Sequence, residues 1–221
     1  MNVKIHNKIP FEDLVERIRK VPLQVKDDEG SQIFVYRDAD ISLRELRVNE
    51  VNPTTFYLIR KGLQFQRDLR EALLKQHKID SLHLDCGLEI EVDKCEKIWT
   101  LTPPIIEVTP RTVIYHPREG EIDHKEKAQI QVTIINDGAH RIGIAKESSS
   151  TFNAIYIVGA DPEFPFYAHP NEWSRIKIVD EAPSDKRDRK FYSRENCYAL
   201  YRDFGVIGCG APRGSRDIGE K

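Results

Sequence analysis

Apolar residues recur along this chain in short blocks of two periods, and the change from one to the other sketches the fold. Phe11, Leu14, Val15 and Ile18 follow Pro10 at helical spacing, and Pro22 closes the stretch. A longer helical pattern runs from about Thr54 to His77, with Phe56, Leu63, Leu69, Leu73 and Leu74 as its apolar positions; Gly62 is expected to divide it. Strand patterns lie at Ile33 to Tyr36, at Ile105 to Val108, at Thr112 to Tyr115, at Gln131 to Ile135 and at Ala154 to Val158. Ile41 to Leu46 alternates or makes one turn, and Ile79 to Leu84, Leu88 to Val92 and Trp99 to Leu101 read as short strands or loops. The polar run Glu119 to Lys127 reads as a loop. The centre of the chain therefore reads strand, strand, strand, helix, strand, a mixed α/β (α+β) pattern.

After Gly159 the composition changes. Residues 161 to 173 are rich in proline and aromatics, including Phe164, Phe166, Tyr167 and Trp173, and are too apolar for a free linker. Ile176 to Val179 is a half-buried strand candidate, Ser184 to Lys190 a charged and exposed cluster, and Glu195 to Phe204 a helix candidate. From Gly208 to Arg216 the composition is that of turns, and a mobile tail is expected. These features predict one domain over 1–221, with an extension, 161–221, packed on the rest.

Composition narrows the function classes. The chain has 221 residues, 39% hydrophobic and 32% charged, within the globular range. No apolar run approaches the roughly 20 residues that span a bilayer, and the N-terminus lacks a signal-peptide core, so no membrane partner and a cytoplasmic setting are expected. With 34 basic and 36 acidic residues the formal charge is −2, which disfavours a dedicated nonspecific DNA binder but leaves room for a local basic patch. Cys86, Cys95, Cys197 and Cys209 form no C-x-x-C pair and read as reduced thiols.

The densest chemistry lies at Asp137-Gly138-Ala139-His140-Arg141, between an apolar strand and a helical stretch containing Ile142, Ile144 and Ala145. Glycine permits a tight turn, a helix start offers unpaired N–H groups at the positive dipole end, and histidine and arginine add donors. The combination is a candidate phosphate site. Arg141 suits bidentate contact with phosphate; its alternative is an ion pair with Glu107 or Glu147. Asp137 is either a helix cap or a ligand for Mg2+ or a substrate hydroxyl. Glu107 ends an apolar strand and is a secondary candidate for the same pocket. The aromatics at 164–173 are read as core packing over a binding platform. Lys186, Arg187, Arg189 and Lys190, interleaved with Asp185 and Asp188, are read as a solvated surface over a nucleic-acid patch.

Together with Ile41 to Leu46, Asn52-Pro53, Pro104-Ile105-Ile106 and the small Ala145, this motif resembles the ParB/sulfiredoxin-like superfamily over roughly residues 40–160. The resemblance implies a ParB/sulfiredoxin-type α/β domain with N- and C-terminal elaborations, in which Gly138, Ala139, His140 and Arg141 cradle nucleotide phosphates. It further implies a nucleoside di- or triphosphate, Mg2+ at Asp137, a small-molecule acceptor, and a phosphotransferase or NTPase in which Asp137 and His140 assist. Free serine kinases of that superfamily use an upstream glutamate as base, and Glu50, between Leu46 and Pro53, is the nearest residue here. Sulfiredoxin-like members have Gly-Cys-His-Arg; Ala139 in place of that cysteine argues against sulfinic acid repair. The alternative is a noncatalytic, nucleic-acid-associated or nuclease-like ParB-type module.

Overall fold

The computed structural model describes residues 1–24, 26, 28–93, 98–115, 126–193 and 197–208. Two sheets and three helices carry the fold. In the first sheet β1 (Val3–Ile9) pairs antiparallel with β4 (Gly87–Val92), which pairs antiparallel with β5 (Trp99–Leu101). The second has the order β2 (Asp40–Leu46), β8 (Phe152–Val158), β6 (Ile105–Tyr115), β7 (Glu126–Asp137); β6 and β8 run parallel and the other pairs antiparallel. A small parallel pair joins β3 (Tyr57–Ile59) to β9 (Lys177–Val179). The helices are α1 (Phe11–Arg19), α2 (Arg60–His77) and α3 (Ala139–Glu147). No helix among the described residues is long and apolar enough to cross a membrane.

The four-stranded sheet is covered on both faces, which is why its central strand β8 is apolar almost throughout. Ile155 and Ile157 meet Leu14 and Ile18 of α1 and the buried Val35 and Tyr36. On the other face Ile106, Ile135, Phe152 and Ala154 meet Leu63 of α2 and Ile142, Ile144 and Ala145 of α3. The far half of α2 uses Leu69, Ala72 and Leu73 against Leu88, Ile90 and Leu101 of the three-stranded sheet. One amphipathic helix thus joins the two sheets.

Several expectations are corrected. Ile33 to Tyr36 is not a strand; Val35 and Tyr36 are buried from a turn, where tertiary packing rather than a ladder accounts for the apolar run. The strands expected at Ile105 and Thr112 are one strand, because Pro110 is accommodated opposite Gln131 without breaking the pairing. The expected loop at Glu119 to Lys127 overlaps β7, which begins at Glu126; residues 116–125 lie outside the described residues. The helix expected from Thr54 starts at Arg60, after β3, and Gly62 sits inside its first turn without dividing it. The strand at Ile176 is present as β9 but is largely exposed. In place of a helix over Glu195 to Phe204 there are 3-10 turns at Cys197–Leu200 and Phe204–Ile207. The tail from residue 209, with Arg213 and Arg216, lies outside the described residues.

Candidate functional site

The site grows from the end of β7. Asp137 pairs with Ile105 and Ile135 with Ile106, so Asn136 is an extra residue opposite that step. Such a bulge turns the strand and re-aims its side chains. Gly138 follows in the left-handed region (φ 91, ψ 16) as the residue before α3, with no side-chain cap. A Cβ there would lie 2.8 Å from Pro104 Cβ, so conformation and space both require glycine. The Pro104-Ile105 segment therefore packs directly against the motif.

Three motif side chains have defined partners. Arg141 is buried; it donates to the Thr102 carbonyl and lies 3.7 Å from the Asp137 carboxylate. Neither glutamate considered for it is its partner: Glu107 pairs with the buried Arg202 at 3.0 Å, and Glu147 with Arg67 at 2.7 Å. His140 Nε2 accepts the Ile59 N–H at 3.0 Å, which ties the first turn of α3 to the start of α2. As an acceptor that nitrogen carries no proton, leaving Nδ1–H as the ring's donor. Burial pushes the imidazole below its usual range, against the opposing pull of Asp137. Gly62 passes so close that a Cβ on it would lie 2.7 Å from His140 Nε2.

Two helix starts thus converge on one cavity of about 490 Å3. Thr54, Thr55, residues 57–59, Gly62 and residues 135–141 line it, with Phe65 and Trp99, whose ring centroids are 6.0 Å apart. Gln66 adds a buried Oε1 with no hydrogen-bond partner among the described residues. Tyr167, Arg189, Lys190, Tyr192 and Tyr201 complete the lining. Lys190 Nζ donates to Tyr167 Oη at 2.6 Å, and Arg189 Nε to the Pro183 carbonyl at 2.6 Å. Among the described residues Asp137 is the one carboxylate lining the cavity. Over the described lining residues, Arg141, Arg189 and Lys190 against that acid sum to a formal charge of +2 in a chain of −2.

Gly138, Ala139, His140, Arg141 and Asp137 are thus brought together; Glu50 is not. It folds back to accept the Arg47 N–H at 2.5 Å and is not among the lining residues. Its neighbour Asn52 bonds to β7 in both directions, through Thr133 and Ile135, so the Asn52-Pro53 element does pack on the motif strand. Glu107 is 1% exposed and takes bonds from Tyr36, Asn136 and Arg202. Phe166 is fully buried, and Trp173 is partly buried and donates to the Val48 and Val51 carbonyls, so both serve packing. Sequence reasoning missed Tyr57, Trp99, Tyr192 and Tyr201, and set Arg189 and Lys190 aside as solvated. The run Arg189-Lys190-Phe191-Tyr192 was the available signal: two cations followed directly by two aromatics.

For Mg2+ the donor set is thin. No group of three or more His, Cys, Asp or Glu that could hold a metal occurs among the described residues. Mg2+ is commonly held by one or two carboxylates together with substrate phosphates and waters, and Asp137 fits that arrangement rather than a protein cage.

The ParB CE domain family model matches residues 13–178. No curated protein and no solved structure matches the chain. The matched span contains the motif, α2 and β8, and ends before Arg189, Lys190, Tyr192 and Tyr201.

Proposed function

The chain belongs to the ParB CE domain family, and from that premise we propose that its cavity binds a nucleotide by the phosphates. The observation that carries this reading is the start of α3: the Gly138 turn, held by Pro104, opens a cavity that is net positive and walled by aromatic rings. Helix N–H groups and the dipole favour an anion there. Phe65 and Trp99 offer ring faces to a base, and Gln66 Oε1 offers it an acceptor. His140 contributes through Nδ1 alone, because Nε2 is bonded to Ile59. Arg141, itself part of the lining, also shapes the turn through Asp137 and Thr102. Replacing it would disturb the turn itself. It is therefore a poor test of ligand contact.

Phosphoryl transfer or hydrolysis is the narrower proposal. In such chemistry positioning and charge stabilisation do most of the work. Mg2+ carried on the phosphates would neutralise charge developing on the phosphoryl oxygens. Asp137, as the lining carboxylate, would orient the attacking hydroxyl and accept its proton, a role that Glu50 could take only after moving into the cavity. A cytoplasmic setting suits such a ligand.

The test is calorimetry of the full chain with mono-, di- and triphosphates of the four ribonucleosides, with and without Mg2+, beside Ala139→Asp. An acid in the first turn of α3 suits the helix dipole and repels phosphate. We expect the variant to keep its melting temperature and to lose affinity at least about tenfold. A wild-type chain that binds no nucleotide at millimolar concentration overturns the proposal. Salt-dependent binding of oligonucleotides alone would favour the ParB-type nucleic-acid reading instead.

A further inference from the structure

We propose that Asn136 reads the sugar: its side-chain carbonyl accepts a hydrogen bond from a ribose hydroxyl, so the cavity prefers a ribonucleotide to an analogue lacking that hydroxyl. This rests on the nucleotide reading above and extends it to the sugar, the part of the ligand that the phosphate turn and the aromatic rings leave unread. Asn136 stands outside the Asp137-to-Arg141 motif, carries no charge, and lines the cavity beside Asp137.

The neighbours of this amide fix which end faces which way. Asn136 is the extra residue where the β6–β7 register slips between Ile105 and Ile106, and a bulge re-aims its side chain. Its Nδ2 lies 2.8 Å from Tyr36 Oη and 3.3 Å from Glu107 Oε2. Glu107 is paired with the buried Arg202 at 3.0 Å, and a carboxylate so paired only accepts. Tyr36 Oη donates to Glu107 at 2.6 Å. Burial, and then Glu107, push that phenol well above its usual range, so its proton stays in place. Toward Asn136 both groups are therefore acceptors, and the amide nitrogen must face them. The carbonyl end is left for the cavity. Oδ1 takes no hydrogen bond among the described residues and, unlike the Gln66 Oε1, keeps access to solvent.

Position then selects the partner. Asn136 is two residues from Gly138, at the strand end that feeds the phosphate turn. In any nucleotide the sugar is bonded directly to the phosphates, and its hydroxyls are the uncharged donors closest to them. An amide carbonyl accepts from such a hydroxyl without repelling the phosphates beside it, as a carboxylate would. The mounting is also rigid. Tyr36 and Arg202 are fully buried, and Arg202 donates to the Leu200 and Phe164 carbonyls at 2.6 and 2.8 Å besides holding Glu107. Asn136 thus hangs on a buried network anchored near both ends of the chain. An acceptor already held in place loses little freedom when its ligand arrives. A buried ion pair often adds little stability, and orienting this amide gives the Glu107–Arg202 pair a use.

The experiment is calorimetry of the full chain at fixed ionic strength. The ribonucleotide that the wild type binds best is compared with its 2′-deoxy, 2′-fluoro-2′-deoxy, 3′-deoxy and 3′-fluoro-3′-deoxy analogues. The fluoro analogues keep an electronegative atom and lose the donor. We expect affinity to fall at least about fivefold when the contacted hydroxyl becomes hydrogen or fluorine. Asn136→Ala should bring parent and analogue within about twofold of each other while still binding both. Tyr36→Phe tests the mounting: it should narrow the same preference while leaving the affinity of the analogue within about twofold of wild type, whereas a merely structural residue would weaken parent and analogue alike. Both variants are checked by circular dichroism and melting temperature; should either unfold, the wild-type analogue series decides alone. A wild type that binds all four analogues as tightly as the parent, or a folded Asn136→Ala that keeps the preference, overturns this inference and leaves the nucleotide reading standing. A wild type silent to every nucleotide overturns both.

Discussion

Alanine at position 62 should destabilise this protein, against the usual expectation for a helical glycine. Gly62 lies in the first turn of α2, where exchanging glycine for alanine ordinarily gains at most about 1 kcal/mol from backbone entropy. Here the new methyl carbon would lie 2.7 Å from Nε2 and 2.8 Å from Cδ2 of His140. If the ring stays, overpacking costs about 1–3 kcal/mol. If it swings away, the Ile59 N–H loses its acceptor inside the fold, again about 1–3 kcal/mol. Set against a propensity gain of up to about 1 kcal/mol, either route leaves Gly62→Ala destabilised by roughly 0–2 kcal/mol, with a central value of about 1 kcal/mol. The assay is urea unfolding followed by circular dichroism, where the midpoint should fall with an unchanged slope. The decisive arm is the same exchange in a His140→Ala background. With the ring gone, alanine at 62 should be neutral or stabilising, so the sign reverses. A Gly62→Ala protein as stable as wild type, or an effect of one sign in both backgrounds, would refute the reasoning.

The same histidine predicts a pH response. Its pKa is lowered by burial, so it is neutral in the folded protein, whereas an unfolded histidine titrates near 6.5. As pH falls below that value the unfolded chain takes up the proton first, and stability declines until the folded-state pKa is reached. Melting temperature should therefore drop between neutral pH and about pH 5, less steeply in His140→Gln, and an identical slope in both would contradict this. Arg202→Met should lower stability by about 3–5 kcal/mol by leaving Glu107 buried without its counter-ion. The double variant Arg202→Met/Glu107→Leu should recover part of that loss in denaturant melts, and a double variant worse than the sum of the singles would count against it.

What the sequence made legible depended on how local the cause was. Helix α1 could be read because Leu14 and Ile18 face one core at helical spacing between two prolines. The motif could be read because a β-branched run, a glycine and a helical pattern are contiguous. Strand β1 was not marked, since only Val3 and Ile9 of its seven residues are buried. Tyr36 and Val35 looked like a strand because burial from a turn leaves the same apolar signature. The partner of Arg141 was misjudged for a related reason. Glu107 and Glu147 were plausible by charge, but each is claimed by a distant arginine, Arg202 or Arg67. The lining residues near the C-terminus were hidden most deeply. Thr55 bonds to Arg189 across 134 positions, and no local pattern records that contact.

That separation has a consequence for how the protein comes into being. Synthesis runs from the N-terminus at roughly 5–20 residues per second, so β7, the glycine turn and α3 leave the ribosome seconds before Arg189 and Arg202. For that interval the nascent chain holds the Gly138 turn without Arg189, Lys190, Tyr192 and Tyr201, which line the same cavity. Glu107, 95 residues ahead of its partner, waits without a counter-ion.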